Sequence, residues 1–168
     1  MRYVLIDRIT ALDPGRTLKA IKNVSLSDGL VARVRPGVSA LPGSMVLEAM
    51  AQAAGLLVVA SVQAPAQPVL AKVQPFTAYA DAVSGDRIEL EAELEDLRSE
   101  GARATVTAVV DGSRIAEAVI YLGLMSIDGD ERIALMRDRL ADAFPGWFDE
   151  ASVLAAGESE GRSPSVNR

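Results

Sequence analysis

The stretch LPGSMVLEAMAQAAGLLVVASV, residues 41–62, decides the fold of this chain. Its length and its content of Ala, Met and Leu favour a helix over a strand. It is about long enough to cross a bilayer. However, it carries Glu48 and Gln52, and the segments on both sides resemble strands. A helix that is apolar nearly all round belongs inside a protein. We therefore predict a buried central helix over residues 44–62 and no membrane span.

The residues before this helix predict short strands. Mixed apolar and polar runs at 3–11 and 17–26 are separated by the triplet Asp13-Pro14-Gly15. Pro and Gly are typical of tight turns, because one presets φ and the other tolerates positive φ. Residues 30–35 predict a third short strand that ends at Pro36-Gly37.

After the helix the hydrophobic period changes to two. Residues 88–95 read Ile-Glu-Leu-Glu-Ala-Glu-Leu-Glu, which is typical of a strand with one wet and one buried face. Glycine-containing turns lead from it into strands at 102–110 and 114–125, and residues 69–74 predict another strand ahead of them. A central helix followed by an antiparallel meander that wraps around it makes the fold class α+β.

The C-terminal part divides into a helix and a tail. Residues 130–144 predict an amphipathic helix with Ile133, Met136, Leu140 and Phe144 on one side, and we expect it to pack on the outside of the sheet. The polar, Gly-rich composition of residues 157–168 predicts a disordered tail. We thus expect one domain over 1–127, a helical extension over 128–156 and the tail.

Composition excludes several classes of function. The chain has 168 residues, no cysteine and no histidine, so disulfides, thiolate chemistry and imidazole catalysis by this chain alone are excluded. We expect neither a metal nor another cofactor. The net charge of −6 argues against nucleic-acid binding. Residues 1–40 nevertheless carry seven basic groups against three acidic ones. These are either scattered surface charges or a docking surface for an acidic partner.

Several motifs resemble those of the beta-hydroxyacyl-[acyl-carrier-protein] dehydratases (FabZ/FabA-like), which adopt the hot-dog fold. The likeness runs from about residue 3 to residue 125. Its central motif is PGSMVLEAMAQ at 42–52, similar to the family's Pro-Gly, four residues, then Glu-Ala-x-Ala-Gln. The other motifs are VLIDR at 4–8, DPG at 13–15, KNV at 22–24, SGD at 84–86 and VDG at 110–112. The resemblance predicts a single hot-dog domain.

The chain departs from the family at the catalytic histidine. In the family, a Gly-His-Phe-Pro-Gly segment places this His fourteen residues before the helix Glu. That position is Val34 here, within Arg-Val-Arg-Pro-Gly at 33–37, and Leu30-Val31 replaces an upstream aromatic pair. The resemblance implies sites built from the His of one subunit and the Glu of the other. A homodimer of this chain therefore cannot restore the pair.

The resemblance assigns roles to the residues that remain. Glu48 corresponds to the family's catalytic acid, and backbone N–H groups of Gly43 and Ser44 at the helix start are candidates to bind the thioester carbonyl. Ser44, Glu48 and Gln52 are spaced four apart and share one helix stripe, so Gln52 is a supporting polar group. A structural role for Glu48, as a hydrogen-bonded polar group, remains the alternative.

Three functions remain open for a hot-dog protein of fatty-acid or polyketide-type metabolism that handles acyl thioesters. The first is a dehydratase with a substitute arrangement. The second is a thioesterase in which Glu48 activates water. The third is a non-catalytic binder, or the subunit of a heterodimer whose His-containing paralogue completes the site. The expected partners are acyl carrier protein or coenzyme A thioesters, with Arg33 and Arg35 as candidates for carrier-protein docking. We expect at least a homodimer and a cytoplasmic location.

Overall fold

The computed structural model describes residues 4–62, 65–127 and 129–148. The tail predicted at 157–168 lies outside the described residues. In chain order the elements are β1 (Arg8–Asp13), β2 (Thr17–Asn23), β3 (Ala32–Arg35), β4 (Val38–Leu41), α1 (Gly43–Ser61), β5 (Ala66–Ala78), β6 (Ala82–Val83), β7 (Arg87–Leu97), β8 (Gly101–Val110), β9 (Ser113–Ser126) and α2 (Asp130–Ala143).

The strands form one large and one small antiparallel sheet. The large sheet has six strands in the order β1-β2-β7-β8-β9-β5, and the small one has the order β3-β4-β6. Helix α1 packs against β2, β5, β7, β8 and β9, so the large sheet wraps around it. This arrangement confirms the predicted α+β hot-dog fold.

The alternation along the strands explains this wrapping. Ile88, Leu90 and Ala92 of β7 are buried, whereas their neighbours Glu89 and Glu93 are exposed. Strand β8 buries mostly small side chains on the helix side, and α1 likewise buries a series of alanines. Small residues on both surfaces let the helix approach the sheet closely, as the dense packing of protein interiors requires.

The predicted elements are confirmed with shifted ends, and two strands were missed. The central helix covers Gly43–Ser61, and β5 extends to thirteen residues where residues 69–74 were predicted. The missed strands β4 and β6 have four and two residues. Strands this short contain too few residues to show an alternating pattern.

Helix α1 is the one helix in the described residues that is long and apolar enough to cross a membrane, with a mean hydropathy of 1.6. Within the protein, 61% of its apolar window is buried, mainly against the large sheet. Burial by strands of the same domain is typical of a core helix, as the sequence predicts.

The predicted position of α2 on the outside of the sheet is wrong. Its residues Met136 and Leu140 line a cleft together with residues of α1, so α2 lies on the same side of the sheet as the central helix. The outer face of the sheet offers little apolar surface, because it carries charged pairs such as Lys19–Glu91 at 2.9 Å. The apolar stripe of α2 instead faces the cleft beside α1, where apolar side chains line the opposite wall.

Two aspartates paired with the buried Lys22 help to hold the N-terminal segment against β2. The Lys22 side chain is 7% exposed, and its Nζ lies 3.0 Å from Asp28 Oδ2 and 3.5 Å from Asp7 Oδ1. Asp7 Oδ2 also accepts hydrogen bonds from the backbone N and the side-chain amide of Asn23. Pairing compensates the cost of burying the ammonium group. The hydrogen bond from Lys22 lowers the pKa of Asp28 below its ordinary value.

We expect Asp28→Asn to lower the free energy of unfolding at pH 7 by roughly 1 kcal/mol, because Asn keeps an acceptor oxygen for Lys22 but removes the negative charge that pairs with it. Since the folded-state pKa of Asp28 is depressed, its stabilisation is present above the unfolded pKa and is lost as the pH falls through the folded one. The difference from wild type should therefore shrink below about pH 4. Urea unfolding at several pH values measures it, with the exposed Asp81→Asn as control. A constant difference at every pH would contradict this role.

Candidate functional site

An apolar cleft of about 950 Å³ opens between α1, the start of β5 and α2. One stripe of α1 forms its floor, since helix positions three and four apart share a face. Apart from Val4, Ile127 and Phe144, the lining comes from these elements and from β9. The α1 residues are Met45, Glu48, Ala51, Gln52, Gly55, Leu56 and Val59; the remainder are Val4, Gln67, Pro68, Leu70, Leu122, Ile127, Arg132, Leu135, Met136, Arg139, Leu140, Ala143 and Phe144. Its volume is within the range of small-molecule sites.

Hydrogen bonds made by Gln52 hold the carboxylate of Glu48 in this cleft. Gln52 Nε2 donates to Glu48 Oε1 at 3.0 Å, and Gln52 Oε1 accepts from the backbone N of Leu5 at 2.8 Å. The spacing of four residues places the two side chains next to each other on the helix. Gln52 therefore links Glu48 to the segment before β1.

The Glu48 side chain is more exposed than the sequence predicts. An apolar helix implied a buried carboxyl in apolar surroundings, but Glu48 is exposed and lines the cleft. The reason is that the stripe with Glu48, Gln52 and Gly55 faces α2 across open space, while the opposite stripe packs on the sheet. Within the described residues, the second carboxylate oxygen of Glu48 accepts no hydrogen bond, so it is accessible to a ligand.

The start of α1 offers backbone donors near this stripe. Pro42 precedes the helix without a side-chain cap, and its carbonyl accepts from the N atoms of Met45 and Val46. Gly43 and Ser44 are exposed, and their N–H groups have no acceptor among the described residues. Neither residue lines the cleft. These N–H groups are therefore available to a ligand. They lie at the start of α1, the helix whose following turns line the cleft.

Val34, at the family's His position, lies at an irregularity of β3. The β3–β4 register pairs Arg33 with Ser39 and Arg35 with Val38, so Val34 has no partner and forms a β-bulge. Its side chain is 46% exposed, and it does not line the cleft of the same chain. Bulges redirect side chains and are common beside active sites. A single chain therefore does not bring Val34 and Glu48 together.

Two arginines that line the cleft were not predicted as site residues from the sequence. Arg33 and Arg35, the predicted docking residues, are exposed on β3 and lie outside the cleft. Arg132 and Arg139 of α2 line it instead. They are seven residues apart, two helical turns, and so share a face with Met136. This spacing was visible in the sequence, but only the position of α2 shows that the face is turned toward Glu48.

In the described part of the chain, the cleft holds one carboxylate, that of Glu48, among mostly apolar side chains. The described residues contain no group of His, Cys, Asp or Glu side chains that could hold a metal ion, and the whole chain lacks histidine. Glu48 can exchange a proton or orient water, and the donors at the start of α1 can stabilise negative charge on an oxygen. Among the described residues that line the cleft, Glu48 is the only carboxylate.

These features define the class: a hot-dog protein whose central helix brings a carboxylate to an apolar cleft. Residues 1–119 match a family model described as the FabA-like domain. The chain therefore belongs to the FabA-like family of hot-dog proteins, in agreement with the resemblance seen in the sequence.

A relative of similar sequence supports this placement, and two solved structures share the fold. The chain is 36% identical to the 3-hydroxyacyl-[acyl-carrier-protein] dehydratase FabZ of Anaeromyxobacter sp. over an alignment 122 residues long, which covers 69% of this chain and 77% of the relative. A Streptococcus mutans protein bound to acetyl CoA superposes with a TM-score of 0.62 at 12% identity, covering 77% and 96% of the two chains. A chain of the dehydratase heterocomplex ApeI:P from Xenorhabdus doucetiae superposes with a TM-score of 0.60 at 16% identity, covering 79% and 89%.

Proposed function

We propose that this protein binds acyl thioesters in the cleft and contributes Glu48 to a dehydratase site whose histidine comes from a different chain. One observation carries the proposal: Gln52 holds Glu48 in an apolar cleft, while the chain contains no histidine at all. The thioester is carried by acyl carrier protein or coenzyme A.

The chemistry divides into three parts. Dehydration of a beta-hydroxyacyl thioester needs a base for the alpha proton, a donor for the thioester carbonyl and an acid for the leaving hydroxyl. Glu48 would protonate the hydroxyl, and the N–H groups of Gly43 and Ser44 would stabilise the enolate oxygen. An imidazole from the partner chain would remove the alpha proton. Gln52 would orient Glu48 without touching the substrate.

Two findings support a heteromeric site over a homomeric one. Two identical copies of this chain carry Glu48 twice and Val34 twice, so neither of their sites has the imidazole. The structural neighbour from Xenorhabdus doucetiae is a chain of a dehydratase heterocomplex, so the same fold is used by unlike subunits. A His-containing paralogue is therefore the partner we infer.

A thioesterase is the second candidate, favoured by the accessible carboxylate oxygen of Glu48. Several structural neighbours are described as thioesterases. A helix carboxylate that activates water against a thioester, with backbone N–H groups on the carbonyl oxygen, needs no imidazole. Glu48 beside the start of α1 provides these groups within one chain.

The decisive assay compares three substrates in two settings. The purified protein is incubated with beta-hydroxyacyl, enoyl and saturated acyl carrier-protein thioesters, alone and mixed with a His-containing paralogue. The proposal predicts binding by the protein alone, and hydration or dehydration only in the mixture. Hydrolysis by the protein alone would favour the thioesterase. Failure to bind any acyl thioester would exclude both.

We expect the protein to pair with another hot-dog chain, and to form at least a homodimer when alone. Strand β5 is an edge of the large sheet, and its Val69 and Leu70 are 41% and 45% exposed. An apolar edge strand is a ready template for pairing. Sedimentation should show a dimer at micromolar concentration, and Val69→Lys should weaken it at least tenfold.

The control for this test is Leu26→Lys, at a residue that is 74% exposed and follows β2, a strand that three others separate from β5 in the large sheet. It should leave the dimer intact. A wild-type protein that stays monomeric at micromolar concentration would contradict the prediction. Equal weakening by both variants would mean that β5 is not the interface.

The cellular setting follows from the same proposal. Because the proposed substrates are acyl thioesters of fatty-acid or polyketide-type metabolism, we propose that the protein is cytoplasmic. Arg33 and Arg35 are exposed on β3 and would attract the acidic surface of a carrier protein. Charge reversal at both positions should then weaken binding of carrier-bound thioesters more than that of coenzyme A thioesters.

A further inference from the structure

Helix α2 is an addition to the part of the chain that matches the family. The match ends at residue 119, whereas α2 covers Asp130–Ala143. Its C-terminal end is anchored, because Phe144 and Phe148 are buried and their rings meet edge to face at 6.2 Å. The helix before this anchor forms one wall of the cleft. The family match therefore assigns no role to this wall.

The wall combines apolar and cationic side chains on one face. Leu135, Met136 and Leu140 line the cleft together with Arg132 and Arg139. Within the described residues, neither arginine forms an ion pair. The charged lining of the cleft thus consists of two arginines and Glu48, a net positive site in a chain of net charge −6. This composition suits a ligand that has an apolar chain and a separate anionic group.

We propose that α2 is a ligand-binding wall, in which Arg132 and Arg139 bind the phosphate of the phosphopantetheine arm that carries the acyl thioester. The inference rests on the proposed function and adds to it the residues that recognise the arm. Guanidinium groups bind phosphate oxygens with two parallel hydrogen bonds, which makes arginine well suited to this anion. Coenzyme A and acyl carrier protein share this phosphate, so the same two residues serve both carriers.

The test compares two small esters that differ only in the phosphate. S-octanoyl-4′-phosphopantetheine and S-octanoyl-pantetheine are titrated calorimetrically into the full-length wild type, the R132Q/R139Q double variant and the R16Q/R98Q control. Wild type should bind the phosphorylated ester at least tenfold more tightly, about 1.4 kcal/mol. The double variant should lose this preference and still bind the pantetheine ester. The control should retain it, because Arg16 and Arg98 are exposed surface residues that do not line the cleft.

The outcomes separate this inference from the proposed function. If wild type binds both esters equally, the phosphate site is wrong and the thioester cleft stands. If wild type binds neither ester nor any carrier-bound thioester, the proposed function fails and this inference falls with it. Should R132Q/R139Q unfold, R132K/R139K replaces it. Lysine keeps the charge but not the paired hydrogen bonds, so the preference should fall by several-fold; an unchanged preference would overturn the assignment.

A second experiment distinguishes contact between the arginines and the shared phosphate from contact with the surface of the carrier protein. Octanoyl coenzyme A and octanoyl carrier protein are titrated into wild type and R132Q/R139Q. Equal losses of affinity for the two carriers support binding of the shared arm. A loss confined to the carrier protein would overturn the proposal, because the arginines would then contact the protein surface instead of the phosphate.

Discussion

Replacing Glu48 with Gln is expected to lower any hydration, dehydration or hydrolysis of acyl thioesters by about 10²- to 10⁴-fold, the usual contribution of a general acid or base. The amide cannot exchange a proton at neutral pH. It keeps the volume of Glu, and its carbonyl oxygen can still accept the hydrogen bond that Gln52 Nε2 donates. Initial rates with and without the His-containing partner measure the effect, and thermal unfolding should show an unchanged fold.

A matched control is Glu93→Gln, at an exposed carboxylate on the outer face of β7. It should leave every rate unchanged. If Glu48→Gln keeps activity within a few-fold of wild type, Glu48 is a structural group. A marked loss of stability in that variant, without any activity to lose, would lead to the same conclusion.

Val34→His is expected to create beta-hydroxyacyl thioester dehydration in a homodimer that lacks it. The substitution restores an imidazole at the family position, where it would face Glu48 of the partner subunit. We expect a rate at least tenfold above wild type, and tenfold corresponds to only about 1.4 kcal/mol of activation free energy. Formation of the enoyl thioester, followed by absorbance, measures it.

Two controls test whether the gain comes from the predicted pair. Val34→Ala should show no gain, and Val34→His combined with Glu48→Gln should lose it, since the acid is then missing. Val34 forms a bulge of β3, and a displacement of about 1 Å can cost about 10²-fold in rate. If the folded variant binds thioester without turning it over, the bulge and its flanking arginines misplace the imidazole, and a purely binding role is favoured.

The central helix and the meander could be predicted from the sequence because their patterns are long and regular. Residues 88–95 alternate strictly, and burial follows this alternation in β7. The neighbouring positions of Glu48 and Gln52 follow from helical periodicity, and the hydrogen bond between them is present. Strands β4 and β6 escaped prediction because two to four residues show no period.

Sequence alone thus determined the fold class, the position of Glu48 on α1 and the absence of imidazole, since these depend on local periodicity and composition. Only the tertiary structure decided which stripe of α1 faces open space, and with it the exposure of Glu48. It also decided that Arg132 and Arg139, about ninety residues further along the chain, face the same cleft. Local patterns do not specify such contacts, because an amphipathic helix such as α2 reveals its apolar face but not the surface that covers it.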